Sequence, residues 1–242
     1  MSEKGKVIRA WLLHFYTSLG LVAALGAFMA LLEGRVQAVF LWQGLALFID
    51  ASDGPLARKW EVRRWIPTFN GAKLDDIVDY INYTLIPMIF AYQFGIVSGN
   101  WVAVLPVVLI SSAYGFSQEE AKTDDGFFTG FPSYWNLTVF YLFLLDLPPW
   151  VSALLLGILA FLVFVPVKYL TWRSAVLPRL TFALSLIWFL SLGFLLLFFN
   201  SLQPWIIWIS LLYPVYHLGM SFYISFSPRF GRQKKTARVP LE

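Results

Sequence analysis

Carboxylates at the ends of two apolar segments are the residues of this sequence best suited to chemistry. The stretch FIDASDGPLARKWEVRRWIPTFNGAKLDDIVDYINY, residues 48–83, contains five aspartates. Asp50 and Asp53 are three residues apart, and Asp75 and Asp79 are four apart, so each pair shares one face of a helix. Four converging carboxylates repel one another unless a cation neutralises them, and oxygen ligands select hard ions such as Mg²⁺, Mn²⁺ or Ca²⁺.

The residues between these acids are suited to a phosphate ligand. Gly54 and Gly71 allow close approach to the backbone, and Arg58 offers a planar fork for phosphate oxygens, with the small Ala57 beside it. Asp76 lies about 100° around the helix from its neighbour and is left out of the site. Each residue alone is typical of an interfacial turn or a helix cap. The whole set predicts a nucleotide or pyrophosphate site at a membrane surface.

The composition predicts that the elements positioning these residues lie in a membrane. Of the 242 residues, 59% are hydrophobic and 13% are charged, whereas a soluble domain has about 25% charged residues. Backbone groups in lipid must pair internally, so the apolar runs predict an all-α polytopic integral membrane protein with about eight transmembrane helices. The runs lie at 11–32, 36–52, 74–97, 101–117, 134–147, 149–167, 180–200 and 203–226. The chain has no cysteine, which excludes disulfides and thiolate sites.

The distribution of lysine and arginine predicts the orientation in the membrane. In the eight-span arrangement only Arg35 falls on the side opposite to the other basic residues, so both termini and the aspartate-rich loop are expected to face the cytoplasm. The basic tail, residues 227–242, is expected to attract anionic lipid headgroups. A net charge of +4 without a recognition module makes nucleic acid a poor candidate partner. The first apolar run is too long for a removable signal peptide.

The spacing of these residues resembles the CDP-alcohol phosphotransferase family. DASDGPLAR followed by GAKLDDIVD matches the family pattern D-x-x-D-G-x-x-A-R, a spacer, then G-x-x-x-D-x-x-x-D. Its fixed positions are Asp50, Asp53, Gly54, Ala57, Arg58, Gly71, Asp75 and Asp79. Twelve residues separate Arg58 from Gly71, where the family usually has about eight. This spacer, the extra spans and the segment SQEEAKTDDGFFTGFPSYWN are similar to the bacterial branch that uses choline as acceptor.

The resemblance implies transfer of a phosphatidyl group from CDP-diacylglycerol to an alcohol, with release of CMP. It implies that the four aspartates hold two divalent ions, Mn²⁺ or Mg²⁺, and that Asp79 also takes the proton of the attacking hydroxyl. Asp53, Gly54, Ala57, Arg58 and Gly71 would contact the CDP group. It further implies a homodimer in a bacterial inner membrane. The expected organisation is a six-helix catalytic core at 1–170, two additional helices at 171–226 and the basic tail.

A choline acceptor would need aromatic faces and a nearby carboxylate, because its trimethylammonium group offers no conventional hydrogen-bond donor. Asn82 and Tyr83 lie three and four residues after Asp79 and are predicted to share its face. Further candidates in and beside the 117–133 interval are Glu119, Glu120, Tyr134 and Trp135. For any single ring, an interfacial aromatic belt is the competing interpretation.

Other functions are compatible with parts of the pattern. Serine, inositol phosphate or glycerol phosphate as acceptor should favour a basic pocket, whereas the 117–133 interval carries four acids and one lysine. A cation transporter would need carboxylates along a path across the bilayer, and here they gather at one face. A non-catalytic membrane scaffold has no need of the complete set of aspartates.

Two histidines and several prolines lie inside predicted spans. His14 and His217 are interpreted as hydrogen-bonded packing residues. Pro87 and Pro106 are expected to kink the third and fourth spans, because a proline inside a helix removes a backbone hydrogen bond.

Overall fold

The structure is almost entirely helical and divides into two compact units. The computed structural model describes residues 2–118, 127–170, 178–199 and 204–227. The first unit comprises residues 1–116 and 133–157, and the second comprises 117–132 and 158–242. The prediction of an all-α fold is confirmed, with one short strand pair added to it.

The first unit contains the acid-rich segment of the sequence. Its elements are α1 (Glu3–Leu32), α2 (Val36–Lys59), α3 (Val62–Trp65), α4 (Gly71–Tyr80), a π-helical turn (Ile81–Leu85), α5 (Ile86–Gln93), a 3-10 turn (Gly99–Ala103), α6 (Val104–Phe116) and α7 (Trp135–Leu145). Helix α8 (Pro149–Leu162) begins in this unit and ends in the second. Because α4, the π-helical turn and α5 follow one another directly, the acids of α4 stand at one end of a longer, irregular helix.

Helix α1 packs closely against both acid-bearing helices. Its buried small residues are Ala10, Gly20, Ala23, Ala24, Ala27 and Ala30. A Cβ atom at Gly20 would overlap Val78 of α4, and one at Gly26 would overlap the ring of Trp42 on α2. Small residues let helix backbones approach in a membrane, where packing drives helix association. Helix α1 therefore sets the spacing between α2 and α4.

The long spacer between the two halves of the motif forms a packed element. Residues 60–70 include α3. The spacer packs against α1. The buried centre of this contact consists of Ala10 and Leu13 of α1 and Val62 and Ile66 of the spacer. Lys6 Nζ lies 4.5 Å from the ring centroid of Trp65, and the Arg9 guanidinium lies 5.1 Å from that of Trp60. These cation–π contacts attach the spacer to α1 and so hold the end of α2 and the start of α4 against the same helix.

The second unit joins a short strand pair to the C-terminal helices. Its elements include β1 (Phe128–Thr129), β2 (Lys168–Tyr169), α9 (Pro178–Leu197) and α10 (Pro204–Phe226), with the strands antiparallel and Phe128 opposite Tyr169. Ser225 Oγ accepts from the Lys168 N–H at 2.7 Å, and Ser221 Oγ accepts from the Leu170 N–H at 3.2 Å. Serines of α10 therefore pair backbone donors at and just beyond β2 that would otherwise be costly to bury.

Several described helices are suited to spanning a membrane. Those long and apolar enough are Glu3–Leu32, Gly99–Phe116, Arg179–Leu197 and Pro204–Phe226, and shorter apolar helices cover Trp135–Leu145 and Pro149–Leu162. Large side chains such as Phe15, Phe48 and Leu190 are exposed on their helices, as expected where the solvent is lipid. The membrane class is thus confirmed, while the count of eight spans stays a prediction.

Candidate active site

Three of the predicted acids converge between α2 and α4. Asp50, Asp75 and Asp79 each offer a carboxylate oxygen, and these atoms all lie within 4.8 Å of one another. All three side chains are half-buried. Asp75 and Asp79 stand one turn apart on α4, and the packing of α2 and α4 against α1 brings Asp50 to them. Asp76 is exposed elsewhere on α4.

The converging oxygens fit a divalent cation. Metal–oxygen distances of about 2.0 to 2.6 Å place ligands on opposite sides of one ion about 4 to 5 Å apart, which matches the 4.8 Å limit of the cluster. The set consists of carboxylate oxygens alone, as hard ions prefer. Without a cation, negative charges at this separation repel one another.

The fourth acid, Asp53, is held from the neighbouring helix. Asp53 is buried, with 5% of its surface exposed, and it lines the same cleft as the three converging acids. Thr17 of α1 donates its hydroxyl proton to Asp53 Oδ2 at 2.7 Å. Sequence reasoning missed Thr17, because a threonine 36 residues away on another apolar segment carries no local signal.

Thr17→Val is expected to destabilise the protein, because it leaves a buried carboxylate without its hydroxyl donor. Hydrogen bonds to charged groups contribute about 1.5 to 3 kcal/mol, and each kcal/mol corresponds to about 2 to 4 °C in a protein of this size. The measurement is the thermal unfolding midpoint in detergent. Thr17→Ser keeps the donor and is the control; an equal loss in both variants would contradict this role for the hydroxyl.

Two motif residues on α2, Gly54 and Arg58, lie together near its C-terminal end. Arg58 is exposed, and its guanidinium lies so close to Gly54 that a Cβ atom there would be 3.4 Å from Nη1. The neighbouring Ala57 packs against the buried cluster of Ala10, Leu13, Val62 and Ile66. A guanidinium fork beside bare backbone is a suitable place for phosphate oxygens.

The motif glycine of α4, Gly71, leaves room for the ring of His14. A Cβ atom at Gly71 would be 2.6 Å from His14 Cε1, and the same ring packs on Phe69 with 4.5 Å between centroids. His14 Nε2 is buried with no hydrogen-bond partner in the described part of the chain. The predicted packing of His14 is seen, but its Nε2 lacks the predicted hydrogen bond among the described residues, whereas His217 Nε2 lies 3.0 Å from the Leu170 carbonyl oxygen. No feature of the sequence linked His14 to Gly71.

Asn82 and Tyr83 line the acid cleft next to Asp79. Asn82 is 1% exposed, and its Nδ2 donates to the Gly20 carbonyl at 2.9 Å. The Tyr83 hydroxyl donates to Asp50 Oδ2 at 3.2 Å. Two successive residues therefore reach two different helices, one bonding to α1 and the other to α2.

Of the other residues predicted to bind choline, none that the structure describes lines the acid cleft. Trp135 is fully buried, and its Nε1–H donates to Ser112 Oγ of α6 at 2.6 Å. Tyr134 precedes α7 and is exposed. Among the described residues, neither ring lines the acid cleft. Glu119 and Glu120 lie outside the described residues.

Comparisons with known proteins find relatives that are similar over most of this chain. The model of the CDP-alcohol phosphatidyltransferase family matches residues 14–118, a range that contains Thr17, the acids, Asn82 and Tyr83. The phosphatidylcholine synthase of Pseudomonas aeruginosa is 35% identical over 225 residues, covering 92% of this chain and 94% of that protein. Those of Rhizobium meliloti, 33% identical over 93% and 94%, and Legionella pneumophila, 36% identical over 91% and 90%, are similar over comparable lengths.

Proposed function

The chain belongs to the CDP-alcohol phosphatidyltransferase family, and from this we infer that it transfers the phosphatidyl group of CDP-diacylglycerol to choline with release of CMP. The observation that carries this proposal is the meeting of Asp50, Asp75 and Asp79 within 4.8 Å. The acceptor follows from the relatives, which are phosphatidylcholine synthases similar to this chain well beyond the segment that the family model covers.

In this proposal the acids hold the divalent metal that the reaction needs. Asp50, Asp75 and Asp79 would hold one cation, Mn²⁺ or Mg²⁺, and Asp53 would help to hold a second from the same cleft. Bound there, the metal would neutralise the pyrophosphate and stabilise the charge that develops on the leaving CMP. Support comes from the all-oxygen ligand set and from the repulsion that the cluster would otherwise suffer.

The CDP group binds at the C-terminal end of α2 and the N-terminal end of α4, where the motif residues lie. Arg58 donates hydrogen bonds to phosphate oxygens, and Gly54 keeps the adjoining backbone open to them. Gly71, at the start of α4, and Ala57 complete this side of the site. Support comes from the position of the Arg58 guanidinium directly against Gly54.

Asp79 takes the hydroxyl proton of choline. It lies one turn further along α4 than Asp75, beside Asn82 and Tyr83, which line the same cleft. A base must lie within hydrogen-bond reach of the proton that it accepts. An alcohol that enters between Asp79 and the Tyr83 ring satisfies this condition, with the ring face turned to its quaternary ammonium group.

The same proposal places the enzyme in a bacterial inner membrane with the cleft and both termini facing the cytoplasm. Support comes from the basic residues, nearly all of which share one side of the eight-span arrangement. We propose that residues 1–170 form the catalytic core, which includes the segment matched by the family model. Residues 171–226 add two helices and 227–242 a basic tail, and the working form is a homodimer.

The test is an acceptor assay with the purified full-length protein in vesicles that contain CDP-diacylglycerol. Choline, serine, inositol phosphate and glycerol phosphate are supplied separately with Mn²⁺ or Mg²⁺, and CMP and the lipid product are measured. We expect choline to be preferred by at least about 100-fold, because the other acceptors carry carboxylate or phosphate groups that an acid-lined cleft disfavours. Equal or greater release with another alcohol would contradict the choline assignment, and release unaffected by EDTA would contradict the metal site.

A further inference from the structure

The helix that carries Asp75 and Asp79 is interrupted by a wide turn directly after the last acid. Residues Ile81–Leu85 form a π-helical turn in which the Ile86 N–H bonds to the Ile81 carbonyl, five residues back. Pro87 follows within the first turn of α5. A proline has no N–H and clashes with the carbonyl four residues before it, which here belongs to Tyr83. The helix accommodates the proline by widening instead of showing only the kink expected from the sequence.

The wide turn sends the side chains of Asn82 and Tyr83 to different neighbours. Asn82 is anchored to the Gly20 carbonyl of α1 and to the Val78 carbonyl of its own helix, at 2.9 and 3.0 Å. Tyr83 points across the cleft to Asp50 on α2. The turn therefore fixes the base of the cleft to α1 on one side and links it to an acid on the other.

We propose that Tyr83 is a positioning residue that orients the Asp50 carboxylate for cation binding by donating its hydroxyl proton to Oδ2. This inference rests on the proposed metal site. Asp50 is the only member of the converging trio that comes from α2, so its orientation decides whether ligands from two helices can meet on one ion. A neutral donor steadies the carboxylate and offsets part of its charge without competing with the cation. Groups that hydrogen-bond to metal ligands in this way change metal affinity by about 10- to 100-fold.

This role is separable from a contact between the Tyr83 ring and choline. The hydroxyl interacts with Asp50, whereas a quaternary ammonium group would lie against the ring face. Tyr83→Phe removes the hydroxyl and keeps the ring, and Tyr83→Ala removes both. Tyr80 supplies a matched control, since it lies three residues earlier and its hydroxyl donates to the Leu109 carbonyl of α6 at 3.0 Å.

The experiment measures Mn²⁺ binding to the purified protein by electron paramagnetic resonance, together with the Mn²⁺ and choline dependence of CMP release. We expect Tyr83→Phe to raise the Mn²⁺ dissociation constant about 10- to 100-fold and to leave the choline KM unchanged at saturating Mn²⁺. Tyr80→Phe should bind Mn²⁺ like the wild type, and the unfolding midpoints verify that each variant is folded.

Wild-type Mn²⁺ affinity in Tyr83→Phe would overturn the inference and leave the proposed function standing. Equal weakening in Tyr80→Phe would also overturn it, because the effect would then be structural. A wild-type protein that binds no Mn²⁺ and still releases CMP would instead refute the proposed metal site on which the inference rests. The two failures are therefore distinguishable.

Discussion

Asp79→Asn is expected to abolish CMP release while leaving the helical fold intact. Asparagine has nearly the shape of aspartate, but it cannot take the proton of the choline hydroxyl and is a weaker ligand for a hard cation. Loss of a general base alone lowers rates by about 10²- to 10⁴-fold, and weakened metal binding adds to this at limiting metal. We expect a fall in kcat of at least about 10³-fold, measured as CMP release in CDP-diacylglycerol vesicles with choline.

Asp76→Asn provides the matched control for this prediction. It makes the same chemical change on the same helix, but Asp76 is exposed and does not belong to the converging trio. We expect its activity to stay close to that of the wild type. Saturating Mn²⁺ separates the two roles proposed for Asp79, because added metal should restore activity lost through weak binding but not activity lost with the base. Retention of more than a tenth of wild-type kcat by Asp79→Asn would refute the assignment of Asp79 as base.

The acids of the site were accessible to sequence reasoning because their arrangement is local. Intervals of three and four residues place carboxylates on one helix face whatever the rest of the fold does, and two such pairs on neighbouring apolar segments predict a shared ligand. Asp76 was set aside on the same argument, and the structure has it exposed. The predicted membrane class likewise depends on composition and segment length alone.

The partners of these acids could not be predicted, because they depend on contacts between distant segments. Thr17 lies 36 residues from the Asp53 that it holds, and Tyr83 lies 33 residues from Asp50. No periodic pattern specifies which of many membrane hydroxyls meets a carboxylate. Pro87 predicts an irregularity in the helix. The packing around a proline decides whether that irregularity is a kink or a wide turn.

Gly71 is subject to two separate steric requirements, a proposed contact with CDP and the packing of the His14 ring. The family motif implies close approach of CDP, whereas the structure places the His14 ring where a Cβ atom would go, 2.6 Å from Cε1. Gly71→Ala is therefore expected to lower the unfolding midpoint and to reduce CMP release. Overpacking costs about 1 to 3 kcal/mol, which exceeds the gain of up to about 1 kcal/mol from the better helix propensity of alanine.

The double variant Gly71→Ala/His14→Ala separates these two demands. Without the imidazole, alanine at position 71 has room. We therefore expect this substitution to leave the unfolding midpoint unchanged in the His14→Ala background and to lower it by up to about 12 °C in the wild type. If Gly71 contacts CDP as proposed, the KM for CDP-diacylglycerol should remain raised relative to His14→Ala alone. An equal loss of unfolding temperature in both backgrounds would refute the steric role of His14. A KM that returns to the His14→Ala value would refute the proposed contact between Gly71 and CDP.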